Sequence, residues 1–104
     1  MKYDNRTPEN KVKDECVEWL FIHGWFNFNI KQGRYCYRGI SDRIAMKNGM
    51  VLFIEFKTDK GKQSPEQINF ENDVKSKGCH YLVAKKSEDI EIYLKKVLDL
   101  QTTF

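Results

Sequence analysis

Apolar residues recur every three or four positions at the start of the chain. Val12, Cys16, Trp19, Leu20 and His23 fall on one stripe, the signature of a helix with a buried face. Thr7 stands at its N-cap, Pro8 at its first helical position and Gly24 at its stop, after a short polar stretch over residues 1–6. The period then changes to two. Trp25, Phe26, Phe28 and Ile30 alternate with Asn27, Asn29 and Lys31, which predicts a strand over Trp25 to Lys31, closed by a turn at Gln32-Gly33.

The stretch from Gly39 to Gly61 reads as two antiparallel strands joined at Asn48-Gly49. Both turn residues tolerate the positive φ of a type I′ turn. The second strand, Met50 to Lys57, is almost continuously apolar and then alternates. Glu55 and Lys57 therefore share one face, and Ile54 and Phe56 share the other. Thr58 to Gln63 is a polar loop. Ser64-Pro65-Glu66-Gln67 opens a helix: Ser64 is the N-cap, Pro65 takes N1, and Gln67 takes N3, where it can close a capping box. Phe70 and Val74 give this helix its buried stripe, with Ile68 at the flank, and Gly78 ends it. His80 to Ala84 is a short strand, expected in the sheet interior. Ser87 caps a last helix whose stripe is Ile90, Tyr93, Leu94 and Val97, with Leu98 and Leu100 as edge or interface positions.

The order is thus α-β-β-β-α-β-α. A crossover helix after the meander returns the chain to a fourth strand parallel to its neighbour. The fold class is α/β, with a mixed four-stranded sheet flanked by helices.

Composition narrows the function classes. The 104 residues amount to one domain by size; they are 40% hydrophobic and 13% aromatic, enough for one core. The formal charge of +3 permits nucleic-acid binding without demanding it. Cys16, Cys36 and Cys79 are odd in number and contain no C-x-x-C pair, which argues against a disulfide framework or a zinc knuckle. No apolar run is long enough to cross a membrane, and the first ten residues lack the apolar centre of a targeting segment. The expectation is a protein of a reducing, cytoplasmic interior. His23 and His80 have no ligand spacing with each other or with a cysteine, and read as structural.

The hairpin brings chemistry together. Asp42 opens the first strand and lies thirteen positions before Glu55, yet the turn sets it level with Glu55 and Lys57. Two carboxylates and a lysine at the mouth of an apolar hairpin have two readings. They can be an ion pair or triad at a wet strand end. They can also be a site in which a divalent metal relieves the cost of two buried acids, while Lys57 holds the attacking water or meets charge on a phosphoryl group. Glu9 lies one turn before the apolar stripe of the first helix. It is either a third carboxylate or simply an acid at the positive end of the helix dipole, with Glu15 as the fallback. Gln67 faces inward with Phe70 and must find partners. Arg34-Tyr35-Cys36-Tyr37-Arg38 is a basic-aromatic patch. Arg34 and Arg38 are candidate phosphate contacts, and Tyr35 and Tyr37 read as structural. Lys60, Lys62, Lys85 and Lys86 are further candidate nucleic-acid contacts, although surface lysines need no such role.

Gly39-Ile40-Ser41-Asp42, Val51 to Lys57 and Ser64-Pro65-Glu66-Gln67, at these spacings, resemble the VRR-NUC branch of the PD-(D/E)xK nucleases over nearly the whole chain. The resemblance implies a restriction-endonuclease-like core and a Mg²⁺- or Mn²⁺-dependent DNA endonuclease without an organic cofactor. Asp42, Glu55 and the Phe56 carbonyl would bind metal, Lys57 would act on water, and an acid of the first helix and Gln67 would lie beside them. It further implies selectivity for branched or four-way (Holliday) junction DNA and a phage or mobile-element source; a chain this small covers little of a duplex alone, so a symmetric homodimer is expected. The alternatives are a DNA exonuclease, or a catalytically silent binding or scaffold protein on the same fold. Two departures stand out. Ser41 replaces the proline that many members carry before the acid, and Lys85-Lys86 replaces the arginine pair, keeping charge but losing the bidentate forks.

Overall fold

The computed structural model describes residues 4–102. Met1 to Tyr3 of the polar N-terminal stretch and the side chain of Leu100 lie outside the described residues. The elements are α1 (Pro8–Ile22), β1 (Phe26–Asn29), β2 (Arg43–Lys47), β3 (Met50–Phe56), α2 (Pro65–Ser76), β4 (His80–Ala84) and α3 (Ser87–Thr102). One mixed sheet runs β1-β2-β3-β4, antiparallel except for the β3–β4 pair. This is the expected α-β-β-β-α-β-α order. β4, expected inside the sheet, is instead its edge, because it pairs with β3 alone. It looks like an interior strand in sequence because helices cover it: Tyr81 and Ala84 are both buried.

The helices sit on both faces of the sheet. On one face, Cys16 and Leu20 of α1 and Ile90 and Leu94 of α3 pack against Ala45, Leu52, Ile54, Phe56 and Ala84. On the other, Phe70 and Val74 of α2 pack on Tyr81, with Phe53, Val83 and Ile40 around them. Period two along β3 thus serves two cores, one for Leu52, Ile54 and Phe56 and one for Phe53. Each fully buried apolar side chain contributes about 1.5–3 kcal/mol.

Local chemistry sets the boundaries. Thr7 Oγ1 accepts the Asn10 amide at 3.1 Å, and α1 ends at His23 with Gly24 beyond it at φ +78°. His23 does not join the core. It is exposed, and its ring stacks on Trp19 at 3.8 Å. The hairpin turn has Asn48 at φ 51° and Gly49 at φ 82°, both left-handed, as a type I′ turn requires. α3 starts at Ser87 itself rather than after it. The Ser87 hydroxyl does not cap its own helix but donates to Glu15 Oε1 at 2.6 Å, tying α1 to α3.

β1 is shorter than the alternation predicts, and its apolar residues face outward. Asn27 is buried while Phe26 and Phe28 are 67% and 43% exposed. The reason is Arg43 opposite. Arg43 is itself buried, and its guanidinium donates to Asn27 Oδ1 at 2.6 Å and to Asn29 Oδ1. A buried guanidinium needs polar partners, so Asn27 turns inward, with the exposed Asn29 on the same side of the strand. Burial pulls the Arg43 pKa below its usual value.

Gly39, at φ +79°, packs directly on the first turn of α2. A Cβ there would come within 2.2 Å of the Glu66 carbonyl oxygen. Gly39→Ala therefore meets both a left-handed backbone and a rigid clash. It is expected to cost about 2 kcal/mol or more in urea unfolding. Gly33→Ala, with nothing within 4 Å of its Cβ, is expected to stay within about 0.5 kcal/mol.

Candidate active site

The register of the hairpin fixes the site. Arg43 pairs with Ile54, so the preceding residue, Asp42, comes level with Glu55. Main-chain bonds continue the ladder past the strand end: Asp42 N–H donates to Ile54 O at 3.1 Å, and Ile30 N–H donates to Asp42 O at 2.9 Å. The Asp42 side chain then folds onto the end of β3. Its Oδ2 accepts the Phe56 amide at 2.8 Å and its Oδ1 accepts Gln32 Nε2 at 3.4 Å.

Glu55 is 2% exposed. Its Oε1 accepts Gln67 Nε2 at 3.0 Å and lies 3.7 Å from Lys57 Nζ. Its Oε2 is buried and has no hydrogen-bond partner. Burial, then the neighbouring Asp42 carboxylate, push the Glu55 pKa up to about 8, and Lys57 acts against this. A buried oxygen left without a donor is costly and therefore rare in a folded protein.

Gln67 performs two tasks that the sequence sets against each other. Its N–H donates to Ser64 Oγ at 3.2 Å and its Oε1 accepts the Ser64 amide at 2.9 Å, which closes the capping box. Its remaining Nε2 donor reaches Glu55. Pinning α2 at its first turn is what aims that amide at the carboxylate.

Glu9, Asn10 and Lys13 of α1, Asn29 at the end of β1, Ile30 to Gln32 after it, Asp42 and Phe56 line one open cleft of about 510 Å³. Glu9 is exposed on its wall, and its charge adds to the upward push on Glu55. Glu15 is engaged elsewhere, with Ser87. The structure thus brings Asp42, Glu55, Phe56, Lys57, Gln67 and Glu9 to one end of the sheet. Arg34, Arg38, Lys60, Lys62, Lys85 and Lys86 are all exposed. Lys85 Nζ reaches Asp59 O at 3.4 Å across the loop after β3, and Lys86 pairs with Glu88. A second cavity, also about 510 Å³, lies at the opposite, turn end of the hairpin, where Trp19, Trp25, Met50 and Leu94 line it. Neither Asp42 nor Glu55 lines it.

Gln32 and Lys13 are cleft residues that sequence reasoning missed. Gln32 sits in what reads as a plain turn, and Lys13 lies on the polar side of an amphipathic helix. Only the packing of α1 and of the segment after β1 against Asp42 identifies them.

Among the described residues, no group of three or more His, Cys, Asp or Glu side chains is arranged to hold a metal ion. What converges is a pair of carboxylates, one with an unpartnered oxygen. That donor set is hard and anionic, and it fits an oxygen-seeking divalent cation better than zinc.

The raised Glu55 pKa has a sign in stability. A free glutamate loses its proton near 4.5, and the folded protein holds this one to about 8. Between these values the folded state binds more protons than the unfolded chain. Stability therefore falls as pH rises from about 4.5 to about 8 and levels off above. Urea midpoints at pH 5 and pH 8 without divalent ions should show this decline, and Glu55→Gln should flatten it.

No protein-family model and no curated protein matches the sequence. Among solved structures, a chain titled "VRR_NUC domain" superposes with a TM-score of 0.73 at 19% identity, covering 86% of this chain and 97% of that one. At that identity the likeness establishes the fold: this chain is built on the architecture of a VRR_NUC domain, in agreement with the resemblance its sequence motifs carry.

Proposed function

We propose that the protein is a VRR-NUC-type, metal-dependent nuclease that hydrolyses phosphodiester bonds in DNA. The observation that carries this reading is the buried Glu55 carboxyl, one oxygen without a donor, held beside Asp42, which together with Phe56 lines an open cleft.

Asp42 and Glu55 would hold a Mg²⁺ or Mn²⁺ ion, with the Phe56 carbonyl as a further ligand. Such an ion, when bound, supplies a Lewis acid for the phosphoryl oxygens. The chain's own residues do the rest. The Phe56 amide and Gln32 fix the rotamer of Asp42. Gln67 holds one Glu55 oxygen, and the other has no donor. Lys57, its ammonium 3.7 Å from Glu55, orients the attacking water or meets the negative charge that develops on phosphorus oxygens. Glu9 faces the same cleft as a further acid. Arg34, Arg38, Lys60, Lys62, Lys85 and Lys86 offer phosphate contacts around it. Action inside the strand, selectivity for branched or four-way junction DNA, a symmetric homodimer and a phage-type protein working inside the host cell extend this reading. The small size of the chain favours the dimer, since two sites across a two-fold axis can serve both strands.

Purified protein with labelled duplex, flap and four-way junction DNA tests this directly. Cleavage is expected with Mn²⁺ or Mg²⁺ and none with EDTA. Lys57→Ala should lower the rate by about 10²–10⁴-fold, and Asp42→Asn should remove it. Cleavage unaffected by both changes would overturn the reading. Closed circular DNA separates endonuclease from exonuclease action, because only the former opens it. Calorimetric Mn²⁺ binding should disappear in Asp42→Asn, a readout independent of turnover.

A further inference from the structure

The face of the sheet that carries Asp42 and Glu55 continues, strand by strand, into an open aromatic surface. Residues opposite one another on neighbouring strands point to the same side. Ile30, Asp42 and Glu55 make one cross-strand row by extension of the register. Phe28, Ile44 and Phe53 make the next, and Phe26, Met46 and Val51 the one after. α2 closes this face over β3 and β4 through Phe70 and Val74. It leaves the β1 end open: Phe26 and Phe28 remain 67% and 43% exposed, with ring centroids 5.6 Å apart.

Charge decides what such a surface suits. From Trp19 to Ile54 the chain holds five Lys or Arg and a single acid, Asp42. Lys31, Arg34 and Arg38 are exposed in the segment joining β1 to β2. A second copy of this basic region would be repelled, whereas a polyanion would be drawn to it. Two exposed phenyl rings on a strand that runs on into a segment with exposed cations are the elements of a stacking platform for nucleic-acid bases. Bases within a duplex stack at about 3.4 Å and hide their faces, so only unstacked bases reach the rings. The strand then leads into the cleft. One residue past Asn29, the Ile30 amide bonds to the carbonyl of Asp42, and Asn29 to Gln32 line the cleft wall.

We infer that Phe26 and Phe28 form a binding platform for single-stranded nucleic acid, which guides an unpaired segment along β1 to the cleft that Asp42 lines. This deepens the nuclease reading and depends on it only for what happens in the cleft.

The test measures fluorescence anisotropy of labelled oligo(dT), oligo(rU) and a blunt duplex in EDTA, so that binding is read without turnover. Phe26→Ala with Phe28→Ala should weaken oligo(dT) binding about tenfold or more and change duplex binding by less than about threefold. Phe28→Trp should retain affinity and Phe28→Leu should lose it, since leucine keeps apolar area but has no π face. Oligo(rU) should respond by the same factor, because stacking does not involve the 2′-hydroxyl. Both rings are exposed, so the variants should keep wild-type urea midpoints.

Unchanged binding in the double variant overturns the platform. So does full binding by the leucine variant, or light scattering in which the substitutions dissociate a dimer. Cleavage with unaltered oligo(dT) binding removes the platform and leaves the nuclease. Aromatic-dependent binding without cleavage of any DNA removes the nuclease and leaves the platform.

Discussion

A carboxylate has been taken out of water at the end of β3, and only one of its two oxygens has a hydrogen-bond donor. Glu55 carries the physical tension of the molecule. A second acid stands next to it, and the nearby Lys57 only partly offsets the charge. In a dry environment two such acids do not both ionise without a compensating cation. The fold holds this arrangement because the groups around it are fixed by main-chain geometry rather than by flexible side chains.

Three devices do the fixing. The type I′ turn at Asn48-Gly49 sets the register that brings Asp42 level with Glu55. The Phe56 amide, at the last position of β3, donates to the Asp42 side chain, which locks the acid in place. The N-terminus of α2 is tied down twice, by its capping box and by Gly39 lying flat against Glu66 and Gln67. The Gln67 side-chain nitrogen, free of the capping box, then donates to Glu55. Helix capping and site assembly are therefore a single structural event.

The sheet is asymmetric in what covers it. The β3–β4 half is sandwiched between helices and carries the core. The β1–β2 half is packed by α1 on one side, where Ala45 and the Arg43–Asn27 pair are buried, and leaves Phe26 and Phe28 exposed on the other. The aromatic residues of β1 are outward because a guanidinium on the inward side needed amide oxygens. An electrostatic requirement thus produces an apolar surface on the strand that leads to the cleft.

How much of this is legible in the chain follows from the range of each interaction. Element order, the hairpin turn, the caps at Thr7 and Ser64 and the pairing of Asp42 with Glu55 all follow from local chemistry: positive φ, hydroxyl capping and period two act over a few residues. The roles of Gln32 and Lys13, the engagement of Glu15 by Ser87, and the edge position of β4 do not, because they depend on which elements lie side by side. The inward turn of Asn27 is the clearest case. Alternation alone puts phenylalanine inside, and only a partner sixteen residues away, Arg43, reverses it. The sequence by itself determined which residues could meet at the end of the hairpin. The tertiary structure decided how dry that meeting place is, and hence that one oxygen of Glu55 stands there without a donor, because burial is a property of the whole packed chain and not of any stretch of it.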